Sequence, residues 1–306
     1  MNVSYAFDEL IISSGGVKGY LMFGALKELN EHHPLKKFTH YTGASMGSLL
    51  SALLAVGCTI EEMEAILVEI EWFDFFDIKI RHFLEEMGFI DTFDLQKYFK
   101  AVLSYKNLSP NMTFQELYEQ TGKVLTIGVT NVSKRREEFH YYKTTPNMPI
   151  IQSMIMSISI PFVFKPIRYE GSLYSDGGIM NHFPYYYHTK TKKMGICLMD
   201  RNLFDEMENI PQSDNPLMEY IVNIFSCMTD EMVRMKMKEK KTKNTIYIYD
   251  QTNGADMKIP KEDKYKMMEK GIIFTQKYYK QEYRRRRRKY LIHKYIHLWK
   301  SKCTKN

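Results

Sequence analysis

Gly43-Ala44-Ser45-Met46-Gly47 stands between a short run, Thr39 to Thr42, and a strongly apolar one from about Ser48 to Val56. A strand that turns through a serine straight into a helix has the G-x-S-x-G pattern of a nucleophile elbow. The turn is sharp enough that small residues must sit two positions either side of the serine, here Gly43 and Gly47. Its hydroxyl then stands clear of the sheet at the positive end of the following helix. Upstream, Phe7 to Ser13 ends in an apolar run that reads as a short buried strand and leads into Ser14-Gly15-Gly16-Val17-Lys18-Gly19. From Tyr20 to Leu29 the apolar residues Met22, Ala25, Leu26 and Leu29 share one helical face. Two strand–turn–helix units in immediate succession predict an α/β chain with a parallel sheet.

Further along, Lys123 to Thr130, Ile196 to Met199 and Thr245 to Tyr249 read as buried strands. Helical patterns fill Glu61 to Ile70, Asp94 to Leu103 and Pro216 to about Lys240, while Phe73 to Gly88 fits neither pattern. No repeat and no Gly/Ser linker divides the chain. The expected organisation is one α/β domain over residues 1–283 and a basic amphipathic tail over 284–306.

With 306 residues, 44% hydrophobic and 26% charged, the chain has globular composition and ample length for a core. Its four cysteines lie far apart without metal-ligand or framework spacing, which points to a reducing compartment. Asp8 and Glu9 interrupt any leader-like apolar stretch, and the run Leu49 to Gly57 is far shorter than a bilayer span. A cytoplasmic, peripherally membrane-associated protein is expected. Lys277 to Asn306 carries +11 of a total of +7, so the remainder is −4. An acidic body argues against an extended nucleic-acid footprint, whereas the tail suits an anionic surface.

Gly15-Gly16-Val17-Lys18-Gly19 lies at the first strand–helix junction, where glycines let backbone amides face a substrate and the helix start adds favourable potential. Acyl transfer from an ester generates an oxyanion that needs such donors. The dinucleotide fingerprint would require glycine at Ser14, and a P-loop would require Ser or Thr at Tyr20, so the sequence disfavours both. Asp176-Gly177-Gly178 is first of all a turn signal. Its carboxylate can also take the proton of Ser45 as that hydroxyl attacks and return it to the leaving group.

These motifs, in this order, resemble the patatin-like phospholipase family, with its glycine-rich loop, G-x-S-x-G and D-G-[AG]. Ser157-Ile158-Ser159-Ile160-Pro161-Phe162-Val163-Phe164 resembles the family's small-x-small-x-P-x-x-F stretch. The resemblance spans Leu10 to Pro184, and more loosely reaches Gly271. It implies a three-layer α/β/α fold with a mostly parallel central sheet and a Ser–Asp dyad. Ser45 would be the nucleophile and Asp176 the base. The amides of Gly15 and Gly16 would line an oxyanion hole with Lys18 at the usual basic position, and Gly19, Gly43, Gly47, Gly177 and Gly178 would complete the motifs. It further implies hydrolysis of lipid acyl esters without metal or organic cofactor. One departure is Ser14, where the family often has a first glycine.

His40, His182 and His188 lie near these motifs in sequence and are expected in surface or packing roles. His293 and His297, in the order an ordinary Ser–Asp–His triad would need, sit beside Arg284 to Lys289, a poor setting for a neutral imidazole base. Met228, Met232 and Met235, on one segment with Leu217, Ile221, Ile224 and Phe225, read as a core face, with a lid or acyl-binding surface as the alternative. Arg284, Arg285, Arg286, Arg287, Arg288 and Lys289, followed by Leu291, Ile292, Ile296 and Trp299, read as an interfacial segment, with basic residues at anionic headgroups and apolar ones at the boundary. A solvated helix end, or a nuclear-localisation or RNA-binding arm, is the rival reading of that stretch. The other functional class is a catalytically weak or inactive member of the fold that acts as a membrane- or nucleic-acid-binding module through the tail.

Overall fold

The computed structural model describes residues 7–69, 88–90, 92–200, 216–239, 242–250 and 259–303. The first strand–turn–helix unit is β1 (Glu9–Ile12), a 3-10 turn at Gly16–Lys18 and α1 (Gly19–His32). The second is β2 (His40–Ala44) and α2 (Met46–Ala55), with Ser45 alone between them. There follow α3 (Ile60–Glu69), β3 (Gly88–Ile90), α4 (Phe93–Tyr105), α5 (Phe114–Thr121), β4 (Val124–Asn131), β5 (Arg136–His140) and α6 (Ile150–Ile158). The remainder is β6 (Phe162–Phe164), β7 (Ile167–Tyr169), β8 (Ser172–Ser175), a 3-10 turn at Gly177–Ile179, β9 (Lys193–Asp200), α7 (Pro216–Glu239), β10 (Thr245–Asp250) and α8 (Lys261–Cys303).

Eight strands form the central sheet in the order β10-β9-β1-β2-β4-β8-β7, with β5 also paired to β4. The five strands from β10 to β4 are mutually parallel, and β5, β8 and β7 extend the β4 edge antiparallel. All four residues of β1 and all eight of β4 are buried, as strands covered on both faces must be. Short β3 and β6 pair separately. The expected fold class, a mostly parallel sheet between helical layers, is the one found.

Register brings the site together. Ile12 of β1 lies beside Gly43 of β2, Ala44 beside Gly128 of β4, and Thr130 of β4 beside Ser175 of β8. Three chain exits therefore open at one end of the sheet: Ser13–Lys18, Ser45, and Asp176 with its turn. This is the end at which the carboxyl termini of the parallel strands meet.

Helix α8 packs along α1 and runs parallel to it. A Cβ on Gly24 would meet the Met268 carbonyl oxygen at 1.9 Å, and one on Gly271 would meet that of Leu21 at 2.0 Å. Further down, Gln276 Nε2 donates to Glu28, and Tyr279 stacks on His32. The helix is continuous across residues 283 and 284, so the basic stretch extends an element of the body. The unassigned stretch Phe73 to Gly88 falls, except for Gly88, outside the described residues.

Candidate active site

Ser45 joins β2 to α2 with φ 52° and ψ −128°, backbone that L-residues adopt only under constraint. Both flanking glycines are required by space. A Cβ on Gly43 would meet the Gly47 carbonyl oxygen at 2.2 Å, and one on Gly47 would meet that of Ile12 at 2.3 Å. The strained turn is held by hydrogen bonds on both sides. Ser45 N–H donates to Ser157 Oγ (2.9 Å), Ser157 Oγ donates to the Gly128 carbonyl (2.7 Å), and Ser48 Oγ donates to the Ser45 carbonyl (2.6 Å).

The Ser45 hydroxyl donates to Asp176 Oδ2 at 2.6 Å. The other carboxylate oxygen accepts from Gly178 N–H at 2.7 Å, and the Asp176 carbonyl accepts from Thr130 Oγ1 at 2.8 Å. Asp176 N–H donates to the Ser159 carbonyl (2.9 Å). A Cβ on Gly177 would fall 2.0 Å from the Gly128 carbonyl oxygen, so the turn after Asp176 lies against β4. Burial raises the Asp176 carboxyl to about 7, against the opposing pull of the Ser45 and Gly178 hydrogen bonds. A carboxyl poised there takes or returns a proton near neutrality.

The glycine-rich loop closes over the same end. Gly16 has φ +49°, where a side chain would be strained. Lys18 N–H donates to the Gly15 carbonyl at 3.0 Å, drawing the loop into the turn that starts α1. Gly19 is needed because Met46 Cγ lies 2.4 Å from where its Cβ would be, so the elbow packs on the start of α1. Gly178 faces Ser14 in the same way, with Ser14 Oγ 2.7 Å from its would-be Cβ.

Ser157 and Ser159 are positioning residues that no single motif assigns. They hold the amides of Ser45 and Asp176, and their signal was the Ser157–Phe164 stretch itself.

His40 and His188 are packed against each other, with His188 Nε2 2.9 Å from Thr126 Oγ1. Both belong to the opposite end of the sheet, where β2 and β4 begin. Burial lowers His188 to about 4, so it stays neutral. His182 instead reaches the glycine-rich loop through Ser14. The side chains of His293, His297 and Trp299 lie outside the described residues.

The methionine segment differs from the core expectation. On α7, Tyr220, Ile224, Met228 and Met235 are exposed, while Val233 packs with Cys197 and Met199. The exposed four fall within one arc of the helix, opposite Val233, and α7 touches the 177–179 turn beside Asp176.

The basic segment is not brought to Ser45. α1 descends from the glycine-rich loop, and α8 descends beside it. At Gln281 to Arg285, α8 borders a cavity of about 330 Å³ with Thr242 to Thr245, where β10 begins. Arg284 lies thirteen residues beyond Gly271, about 20 Å along the helix axis. Arg284, Arg285, Arg287, Arg288 and Lys289 are exposed, as are Tyr290, Leu291 and Ile292.

A serine in a strained strand–helix turn, hydrogen-bonded to a buried aspartate beside a glycine-rich loop, is an arrangement chemically able to carry acyl transfer. A family model, patatin-like phospholipase, matches residues 10–187. The chain is 31% identical over 197 residues to "Probable lipid hydrolase 463L" of Invertebrate iridescent virus 6, covering 61% of this chain and 67% of that protein. It is 24% identical over 292 residues to the uncharacterized protein YqhO of Bacillus subtilis (strain 168), covering 89% and 97%. Among solved structures, VipD from Legionella pneumophila superposes with a TM-score of 0.61 at 18% identity over 90% of this chain and 67% of that one, a likeness of fold. The chain belongs to the patatin-like phospholipase family. Among the described residues no helix is long and apolar enough to cross a membrane.

Proposed function

We propose that the protein is a lipid acyl hydrolase, of phospholipase A or related lipase type, working through a Ser45–Asp176 dyad. The observation that carries the reading is the 2.6 Å hydrogen bond from Ser45 Oγ to Asp176. Ser45 attacks the ester carbonyl while Asp176 takes its proton and then delivers it to the departing alcohol. Water, activated in turn by Asp176, hydrolyses the acyl-serine and releases the fatty acid. The amides of Gly15 and Gly16 face the developing oxyanion, and the cationic Lys18 and the start of α1 add favourable potential. Acyl chains lie along the exposed face of α7 that carries Tyr220, Ile224 and Met228, on a helix that touches the turn after Asp176.

The test is fatty-acid release from mixed anionic vesicles by the purified protein beside Ser45→Ala. Release that vanishes in the variant is the expected result; equal release from both overturns the assignment. The buried carboxylate adds a second expectation. Only ionised Asp176 accepts the Ser45 proton, so kcat/KM on a soluble ester should rise with pH and level off above about 7. An acid limb centred in the ordinary carboxylate range would contradict Asp176 as the base.

The basic extension, residues 284–306, is proposed as a peripheral anchor on anionic membranes, each cation near the surface adding about 1 kcal/mol. Because α8 carries it away from the Ser45 end, anchoring and turnover are separable. Replacing Arg284 to Arg288 with glutamine should abolish salt-sensitive vesicle flotation and leave hydrolysis of a soluble ester within twofold of the parent. Undiminished flotation would remove the anchor.

A further inference from the structure

The family's first loop often begins with glycine, and Ser14 stands there. Its side chain is not idle. Ser14 N–H donates to the His182 carbonyl (2.8 Å), and Ser14 Oγ lies 2.5 Å from His182 Nδ1. The other ring nitrogen, Nε2, lies 2.8 Å from the Leu198 carbonyl oxygen at the end of β9. A carbonyl only accepts, so Nε2 carries the proton. In the neutral ring Nδ1 is then the acceptor, and the Ser14 hydroxyl must donate to it. Leu198 N–H donates to Ser13 Oγ (2.9 Å), and Ser13 Oγ donates to the Ser14 carbonyl (2.9 Å). The hydrogen bonds close a ring through Ser13, Ser14, His182 and Leu198.

That ring stands between two parts of the proposed chemistry. On one side Ser14 is covalently followed by Gly15 and Gly16, so fixing its peptide orients their amides. On the other, Ser14 Oγ and Cβ press on Gly178, which donates to Asp176 Oδ1. His182 itself lies six residues beyond Asp176 and shares the segment that begins with its turn.

We propose that Ser14 and His182 are paired positioning residues that lock the glycine-rich loop to the Asp176 segment and so hold the oxyanion donors in place. Neither touches the reacting atoms; the inference rests on the Ser45–Asp176 reading. Mispositioned oxyanion donors weaken the transition state more than the ground state, so the loss falls on kcat. Because the two residues act through one hydrogen bond, their removal is not additive.

The experiment is steady-state hydrolysis of a short-chain p-nitrophenyl ester by the full chain, with Ser14→Ala, His182→Phe, the double variant and His182→Asn. Thermal melts accompany each variant. Asparagine places an amide oxygen near the position of Nδ1 and keeps an acceptor for Ser14. The expected result is a roughly 10- to 100-fold fall in kcat, smaller than the ~10²–10³ that follows outright loss of an oxyanion donor because here the donors are misplaced and not removed, with KM within about twofold in Ser14→Ala and His182→Phe. The double variant should be no worse than either single, and His182→Asn should recover most of the rate. Should His182→Phe fail to fold, Ser14→Ala against Ser14→Thr, which restores the hydroxyl, gives the same contrast. Wild-type kcat in the single variants, multiplied losses in the double, or a loss confined to KM overturns the pair while leaving the dyad standing. Wild-type turnover that Ser45→Ala does not reduce overturns the dyad, and the pair with it.

Discussion

Asp176→Asn should lose about 10³-fold or more in turnover and, at pH 8, melt at a higher temperature than the parent protein. The first half follows from chemistry: an amide of the same shape cannot take the Ser45 proton, and members of a catalytic unit removed singly cost nearly the whole rate. Ser45→Ala should fall to the same floor. The second half follows from burial. The carboxyl ordinarily ionises at 3.8 and is held up to about 7 in the fold. Between those values the folded state retains a proton that the unfolded chain has released, so stability drains away as pH rises through the window. Above it the full penalty is present, on the order of a few kcal/mol. Asparagine never ionises and escapes it. The stabilisation should be clear at pH 8, shrink as the pH falls, and disappear near pH 4. Differential scanning calorimetry of both proteins across that range checks the sign. A less stable variant at pH 8 would mean that the carboxylate's hydrogen bonds outweigh its burial.

Such opposition explains why the site was legible from sequence when much of the scaffold was not. A strained serine turn leaves room for no Cβ at Gly43 or Gly47, and Gly177 is pressed on the Gly128 carbonyl. Crowding that forbids every side chain prints itself as glycines at fixed offsets, and the parallel strands print themselves as buried apolar runs. The antiparallel edge leaves no such mark. β5 reads Arg-Glu-Glu-Phe-His, and β7 is three residues long, too short for alternation to register. α6 is buried along nearly its whole length, Ser153 and Ser157 included, so it lacks the charged face that betrays a surface helix. α8 is the reverse case, rich in Lys, Arg and Tyr, and only a short apolar stripe, Met267 and Met268 beside Gly271, is buried against the body. The same deficiency hid the Ser14–His182 contact, since residues 168 positions apart meet only through the β1–β9 pairing.

Gly24→Ala and Gly271→Ala should each destabilise the protein by about 3 kcal/mol or more, near the upper end of overpacking costs. In a chain of 306 residues that corresponds to a melting point lower by roughly 5 °C or more. Both glycines lie where α1 and α8 cross, and each added methyl would fall about 2 Å from a backbone carbonyl of the other helix: Met268 for Gly24, Leu21 for Gly271. A flexible side chain could swing aside; a helical carbonyl moves only with its helix. Gly128→Ala is the contrast, since its nearest neighbour would be the Phe139 ring edge at 3.3 Å, and it should cost less. The two crossing substitutions should be less than additive, because the first already separates the helices that the second would push apart. Activity should fall as well. α1 begins at Gly19, directly beyond the loop that carries Gly15 and Gly16, so displacing it tilts the proposed oxyanion donors. Full turnover in a Gly271→Ala protein that melts early would show that the loop is held from the Ser14 side and not by α1.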